Sequence, residues 1–280
     1  MKDKGDFSDF TEGKAAKFLK EKHGLRFNLT EPELELGDNL SIDRKDIEEL
    51  SNGAFTYSKG DTQVLLFWYV RKRYMPKSGK PKSWPVYHIV NCSTMQEYSG
   101  FSQANKMPVT IMDRGKPVSR ELVLCKNCRN EIFQKNFFTR YGSVSEQWYD
   151  VILTIVEKTP EEEMIYLTNG YAALWPQIST AYRESVGWCC ESSGCRIRLS
   201  DPDQRKFLHT HHLKGTKNNR RENLQALCLL CHAMEHEDKM MKGTSSFNVE
   251  TFVELFRGQL ISHKVARFEQ LKEQRDNRFA

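Results

Sequence analysis

Two Cys-x-x-Cys pairs, Cys125/Cys128 and Cys228/Cys231, place the strongest constraint on how this chain folds. Two thiolates at that spacing grip a zinc ion from one turn, and the other half of a tetrahedral site must come from elsewhere in the chain. Each pair therefore demands a long-range closure. The eight cysteines are clustered, as Cys92, Cys125, Cys128, Cys189, Cys190, Cys195, Cys228 and Cys231. The segment Met1-Lys-Asp-Lys-Gly-Asp opens no apolar export signal, so metal ligation is expected over disulfides, in a soluble cytoplasmic protein. The longest apolar runs, 64–70 and 151–156, are too short to span a bilayer, and no membrane partner is expected.

The partners of Cys228 and Cys231 are expected in Trp188-Cys-Cys-Glu-Ser-Ser-Gly-Cys195. Cys195 is one. The other is Cys190 or Cys189, with Cys190 favoured. A closed four-cysteine site of this kind is structural and contributes folding energy where little apolar core is available. Cys125 and Cys128 can be completed by His88 and Cys92, whose spacing is less specific. Seven cysteines and His88 then fill one structural zinc site and a second, leaving one cysteine over. The competing reading is free buried thiols.

The 280 residues suffice for more than one compact unit, and 39% hydrophobic content supports a packed core. The pattern is α+β. Residues 1–145 read as a mixed α/β module, with helical pieces at 14–22 and 44–50, strands at 63–71 and 84–90, and a polar loop at 77–83. Residues 146–186 read as a helical connector, with helices at 146–157 and 171–186 and Pro176 as a start or kink. A compact module at 187–245 follows, and then an amphipathic helix over 246–280. Its stripe Val249, Phe252, Val253, Phe256, Leu260, Val265, Phe268 and Leu271 packs on the chain's own core by the usual reading, with a homodimer contact as the alternative.

Five of the eight histidines fall between 209 and 236. Residues 207–213 alternate like a strand, which puts His209 and His211 on one face and His212 on the other. Residues 214–221 make a polar turn. A second strand or turn enters a helix over 228–241, where His232 and His236 are four apart and share a face. A neutral imidazole has a pKa of about 6.5 and can accept a proton from water near neutrality. Imidazole ligands also suit Zn, Ni, Co or Mn better than Mg.

The order His211-His212, Asn223 and Asn-Leu-Gln-Ala-Leu-Cys-Leu-Leu-Cys-His232 resembles the HNH endonuclease family over roughly residues 187–240. The resemblance implies a ββα module around one catalytic divalent ion (Mg, Mn, Ni, Co or Zn). It implies His212 as general base and His211 and His232 as metal ligands. His236 is a third ligand, as in the branch with a His-His pair and a His-x-x-x-His helix. Asn223 then holds the loop and orients the base. His211 departs from the Asp more frequent at its position. His209 lines the phosphate site or only packs.

Net charge is +5, mildly basic and without a long basic tail, which permits a polyanionic partner without requiring one. Lys214, Lys217, Arg220 and Arg221 lie in the connecting loop, where they contact backbone phosphates or form a solvated surface. Arg71 and Arg73 begin a basic segment with Tyr69, Tyr74 and Trp84 as aromatic neighbours. The resemblance implies hydrolysis of double-stranded DNA leaving a 5′-phosphate, with residues 1–145 choosing the target. Restriction, phage defence, mobile elements and repair are the settings it fits. The alternatives are a non-catalytic zinc-binding nucleic-acid adaptor and an RNase or nuclease toxin.

Overall fold

The computed structural model describes residues 37–38, 40–60, 62–74, 83–97, 100–132, 147–237 and 243–277. The helix expected at 14–22 and most of the loop at 77–83 lie outside them. No helix among the described residues is long and apolar enough to cross a membrane.

The helix expected at 44–50 is instead one 3-10 turn, Arg44–Asp46, running into β1 (Ile47–Glu49). Seven residues make a marginal helix. Pairing with β2 (Phe55–Lys59) prevails, in the register Ile47↔Tyr57 and Glu49↔Phe55. The aromatic run expected as a single strand divides at Leu66 into β3 (Thr62–Leu65) and β4 (Phe67–Tyr69). β3 pairs with β2, whereas β4 lies between β5 (Tyr87–His88) and β6 (Ser102–Ala104) in a different sheet. Residues 64–69 are all buried, and such a run can feed two sheets because neither face has to meet water. The strand expected over 84–90 contracts to β5. Beyond it come the short α1 (Ser93–Gln96) and the hairpin of β7 (Val109–Asp113) and β8 (Lys116–Arg120).

Both helices expected in the connector are present, as α2 (Trp148–Lys158) and α3 (Trp175–Ser185). The β-branched run in α2 has modest helix propensity, so its stability comes from burial of Val151 through Val156. Pro176 sits in the first turn of α3, where its missing N–H costs nothing. Buried Gln177 stitches α3 to the sheets. Its Oε1 accepts from Leu65 N (2.8 Å), and its Nε2 donates to Leu65 O (3.2 Å) and Asn105 O (3.1 Å). On its other side α3 holds the next strand, because Thr210 Oγ1 donates to Ser179 O (3.0 Å) and Arg183 donates to Leu208 O (2.8 Å).

That strand is β9 (Leu208–His212), antiparallel to β10 (Leu224–Cys228) and followed by α4 (Leu229–Glu235). Of the helix expected over 228–241, α4 covers Leu229–Glu235 and His236 lies just past its end at φ −133°, ψ 45°; residues 238–241 lie outside the described residues. The single amphipathic helix expected over 246–280 is two helices, α5 (Gly243–Phe256) and α6 (Ser262–Asp276). They are separated by a 3-10 turn, Arg257–Gln259, that contains the poor helix former Gly258. The break lets both helices face α4. Val249, Phe252, Val253, Phe256, Leu260, Val265 and Phe268 are buried within the chain, so the stripe packs on its own core.

The Gln177 triplet of hydrogen bonds makes a testable prediction. Gln177→Leu keeps the volume but strands the N–H and C=O of Leu65, while Asn105 O keeps its bond from Trp148 Nε1 (3.1 Å), and should cost about 2–4 kcal/mol in urea denaturation of the full chain.

Candidate metal centres and active site

Cys190, Cys195, Cys228 and Cys231 are all buried, with sulfur atoms within 4.8 Å of one another. Cys195 and Cys228 are 4.0 Å apart, too far for a disulfide. Zinc–sulfur bonds of about 2.3 Å in a tetrahedron set sulfurs about 3.8 Å apart, so the quartet fits zinc. Cys228 ends β10 and is the residue before α4, with φ −64° and ψ 159°. Its N–H donates to Cys190 Sγ (3.2 Å), as expected where a sulfur carries negative charge. The loop bearing Cys190 docks on β10 through Glu191, whose N–H donates to Ala226 O (2.7 Å) and whose carboxylate accepts from Ala226 N (2.7 Å). Hydrogen bonds from Cys190, Cys195 and Cys228 hold the Cys231 thiol far below its usual range, those from Cys190 and Cys228 bring Cys195 to about 7, and the same sharing pushes Cys190 and Cys228 up. Cys189 stands outside the quartet, its backbone bridging to Arg198, so Cys190 supplies the fourth donor.

His88, Cys92, Cys125 and Cys128 form a second buried group within the same distance. His88 Nδ1 lies 3.3 Å from Cys92 Sγ and 3.7 Å from Cys128 Sγ. Burial lowers the His88 pKa to about 4, which keeps the imidazole neutral and its lone pair available. Asn127 ties this knuckle to α1 through Ser93 Oγ (2.9 Å) and Thr94 Oγ1 (3.0 Å). One nitrogen and three sulfurs are a donor set that zinc takes.

His211, His232 and His236 make the third group, half-buried, with ligand atoms within 4.8 Å. His211 Nδ1 and His236 Nε2 are 3.2 Å apart. Two nitrogens on one zinc-like ion are separated by about 3.3 Å, so these rings fit a shared ion. Burial lowers His232 to about 3, with His209, His236 and His211 adding to the shift, and burial also lowers His211. His236 reaches the group from beyond α4, turned inward as its N–H bonds to Ala233 O (3.2 Å). His209 touches the group from behind. Its Nδ1 is 3.1 Å from His232 Nδ1, so one ring donates to the other and both tautomers are set together.

Strand alternation sends His212 to the opposite face, against α3. Its ring stacks on Trp175 at 4.3 Å and 29°, with Tyr171 at 5.5 Å. Its Nε2 lies 3.1 Å from Asn219 Oδ1. The Asn219 amide is oriented because its Nδ2 donates to Lys217 O (3.3 Å), so the oxygen accepts from His212 Nε2–H. That tautomer leaves Nδ1 with a lone pair. Burial lowers the His212 pKa, and the bond to Asn219 partly restores it. Asn223 does not hold this ring. It is buried and closes the loop, accepting from Lys214 N (2.6 Å) and donating to Gly215 O (3.1 Å) and Asn218 O (2.7 Å). Asn223 thus closes the loop, and the amide in contact with the His212 ring is Asn219.

Lys214, Lys217 and Arg220 are exposed on this loop. Arg221 points back to α2, at 3.1 Å from Asp150 and 3.2 Å from Glu157. It is therefore engaged as an anchor of the loop rather than free for phosphate. Arg71 is exposed, and Arg73 lies over Trp84 and 3.6 Å from Asp113. Tyr69, expected beside them as a stacking surface, is fully buried. Asn219, Trp175 and Tyr171 carried no sequence signal, because an amide in a polar loop and aromatics on a distant segment become partners of His212 only through the fold.

The purified chain should carry about two structural zinc equivalents by metal analysis. Cys190→Ser should lose about one of them, with a fall in melting temperature, while Cys189→Ser retains both.

No protein-family model matches the chain, and no solved structure matches it. Among curated proteins it is similar to Zorya protein ZorE of Escherichia coli, with 26% identity over 235 residues. The match covers 77% of this chain and 61% of that protein, so the chain spans about three-fifths of the relative's length.

Proposed function

We propose that this chain is a metal-dependent endonuclease of the HNH type that hydrolyses double-stranded DNA and serves defence against phage. The observation that carries the reading is one strand, β9, with two differently equipped faces. His211 meets His232 and His236 on one face, and His212 is held singly on the other. The likeness to Zorya protein ZorE supports defence among the settings a nuclease can serve.

His211, His232 and His236 would hold a divalent ion, which when bound would supply charge neutralisation at the phosphate and at the leaving oxygen. His212 accepts a proton from water at Nδ1, because Asn219 occupies Nε2. The water oxygen attacks phosphorus, the bond to the 3′ oxygen breaks, that oxygen takes a proton from solvent to become the 3′-hydroxyl, and a 5′-phosphate remains. Stacking on Trp175 keeps the imidazole from rotating away from that position. Asn223 keeps the loop closed, and Lys214, Lys217 and Arg220 offer exposed cations to flanking phosphates.

Supercoiled-plasmid cleavage with Mg, Mn, Ni, Co or Zn supplied in turn tests this reading, on unmodified and modified DNA. His212→Ala should lower the rate by about 10²–10⁴-fold. Asn219→Ala should lower it by about 10–100-fold while zinc content and melting temperature stay near wild type. Wild type that cuts only structured RNA would make the chain an RNase. Wild type that cuts nothing would leave a zinc-scaffolded nucleic-acid adaptor.

A further inference from the structure

The β7–β8 hairpin carries a basic face that takes no part in the proposed hydrolysis. Residues 71–73 run beside β7 as a short third strand. Arg73 N–H donates to Met112 O (3.1 Å), Met112 N–H donates to Arg71 O (2.7 Å), and Lys72 pairs with Met112 in a parallel bridge. This register puts Arg71 and Arg73 on the face of Ile111 and Asp113. Across the hairpin, Lys116 stands opposite Asp113 and Arg120 opposite Val109, on that same face. Val109 and Ile111 in the middle of that face are buried, so the cations stand at its rim: Arg71, Lys116 and Arg120 are exposed there, and Arg114 is exposed at the turn.

Two further features set this face apart from an ordinary solvated surface. Trp84 receives two guanidinium groups, Arg73 at 4.1 Å and Arg120 at 4.0 Å from its ring centroid. The indole quadrupole attracts each cation and so holds two like charges together; Asp113, 3.6 Å from Arg73, offsets part of this concentration, and an anionic partner would relieve the rest. The second feature is the apex. Register Asp113↔Lys116 makes Arg114-Gly115 a two-residue turn, with φ of +51° and +78°. Such turns favour Asn-Gly, because asparagine tolerates the left-handed region. Here an arginine is held there instead, at the most protruding point of the hairpin. Backbone strain of this kind concentrates where a side chain is needed for binding.

We propose that this face docks the sugar–phosphate backbone of duplex DNA. Arg114 makes contact at the apex, with Arg71 and Lys116 beside it and Arg120 held in place by Trp84. Arginine matches phosphate with its planar fork, and phosphate contacts fix a protein on duplex DNA without reading its sequence. The choice of duplex DNA rests on the nuclease reading, whereas the anion-docking face rests on the hairpin alone.

The test is equilibrium binding of a short fluorescent duplex by the full zinc-loaded chain across a salt series, in a His212→Ala background that prevents cleavage. Removing one cation that neutralises a phosphate should flatten the dependence of log affinity on log salt by about 0.9. Arg71→Ala/Arg114→Asn/Lys116→Ala should therefore flatten the slope by about two to three and weaken binding at least about ten-fold near physiological salt. Arg71→Lys/Lys116→Arg should keep the slope. Arg114→Asn alone should weaken binding while the melting temperature holds or rises, an outcome that misfolding cannot imitate. Unchanged affinity and slope in the triple variant would overturn the proposal, as would absence of duplex binding by the parent or preference for structured RNA. Plasmid cleavage by the wild-type chain is scored separately. Binding through this face without cleavage keeps the proposal and fails the nuclease reading, and cleavage with an unchanged salt slope does the reverse.

Discussion

The position of Cys228 is the constraint on which the candidate active site depends. It closes β10, precedes α4 and contributes to the sulfur quartet, so strand, helix and the Cys190–Cys195 loop meet at one residue. Cys231 follows in the first turn of α4, and His232 is its neighbour. Successive helical residues are rotated by about 100°, so a helix that turns Cys231 toward the quartet turns His232 toward the hairpin. The angle between α4 and β9 is thereby set by sulfur chemistry, and the meeting of His232 with His211 follows from it. A seven-residue helix has little stability of its own. α5 and α6 pack over it, and Lys264 of α6 reaches the quartet, 3.5 Å from Cys231 Sγ and 2.7 Å from Ser192 Oγ.

α3 performs the complementary task on the other face of β9. Gln177 satisfies three backbone groups of the sheets on one side, and Ser179 and Arg183 hold β9 on the other. Trp175, at the start of the same helix, covers His212. The ring that the proposed chemistry uses as a base is thus registered to the core through one helix, while the histidines on the other face are registered through the cysteine quartet. The two halves of the site share the strand between them, and Tyr182 of α3 links them as well, its hydroxyl 2.9 Å from Glu191 Oε2 and 2.8 Å from Leu224 O. Alternation along that strand keeps the base out of the metal-binding group, which matters because an imidazole committed to an ion has no lone pair left for water's proton.

Loop 214–221 joins the two tasks. Asn223 closes it with three hydrogen bonds, and Arg221 anchors it to Asp150 and Glu157 of α2. Burial raises the Glu157 carboxyl and the Arg221 guanidinium draws it back, so the pair is coupled rather than a loose surface contact. Asn219 is held in the closed loop and presents its oxygen to His212. Of the four cations expected to meet phosphate, Arg221 has this structural engagement, and Lys214, Lys217 and Arg220 remain exposed.

The sequence by itself pointed to the donor groups: Cys195, Cys228 and Cys231 with Cys190 or Cys189; His88, Cys92, Cys125 and Cys128; and His211, His232 and His236; the fold brings Cys190, not Cys189, into the first. Metal-binding residue types are chemically distinctive, and their local spacing is dictated by the reach of one turn. It also determined the strand alternation that separates His211 from His212, since a period of two is intrinsic to extended backbone. Only the tertiary structure decided what surrounds them. Leu66 divides one apolar run between two sheets, the stripe after 246 breaks into two helices at Gly258, and Asn219 rather than Asn223 meets the His212 ring. These outcomes depend on contacts between residues far apart in the chain, where each polar group takes whichever partner the closed fold brings within about 3 Å. Spacing reports on what one segment can do, and the choice among partners is made when segments meet.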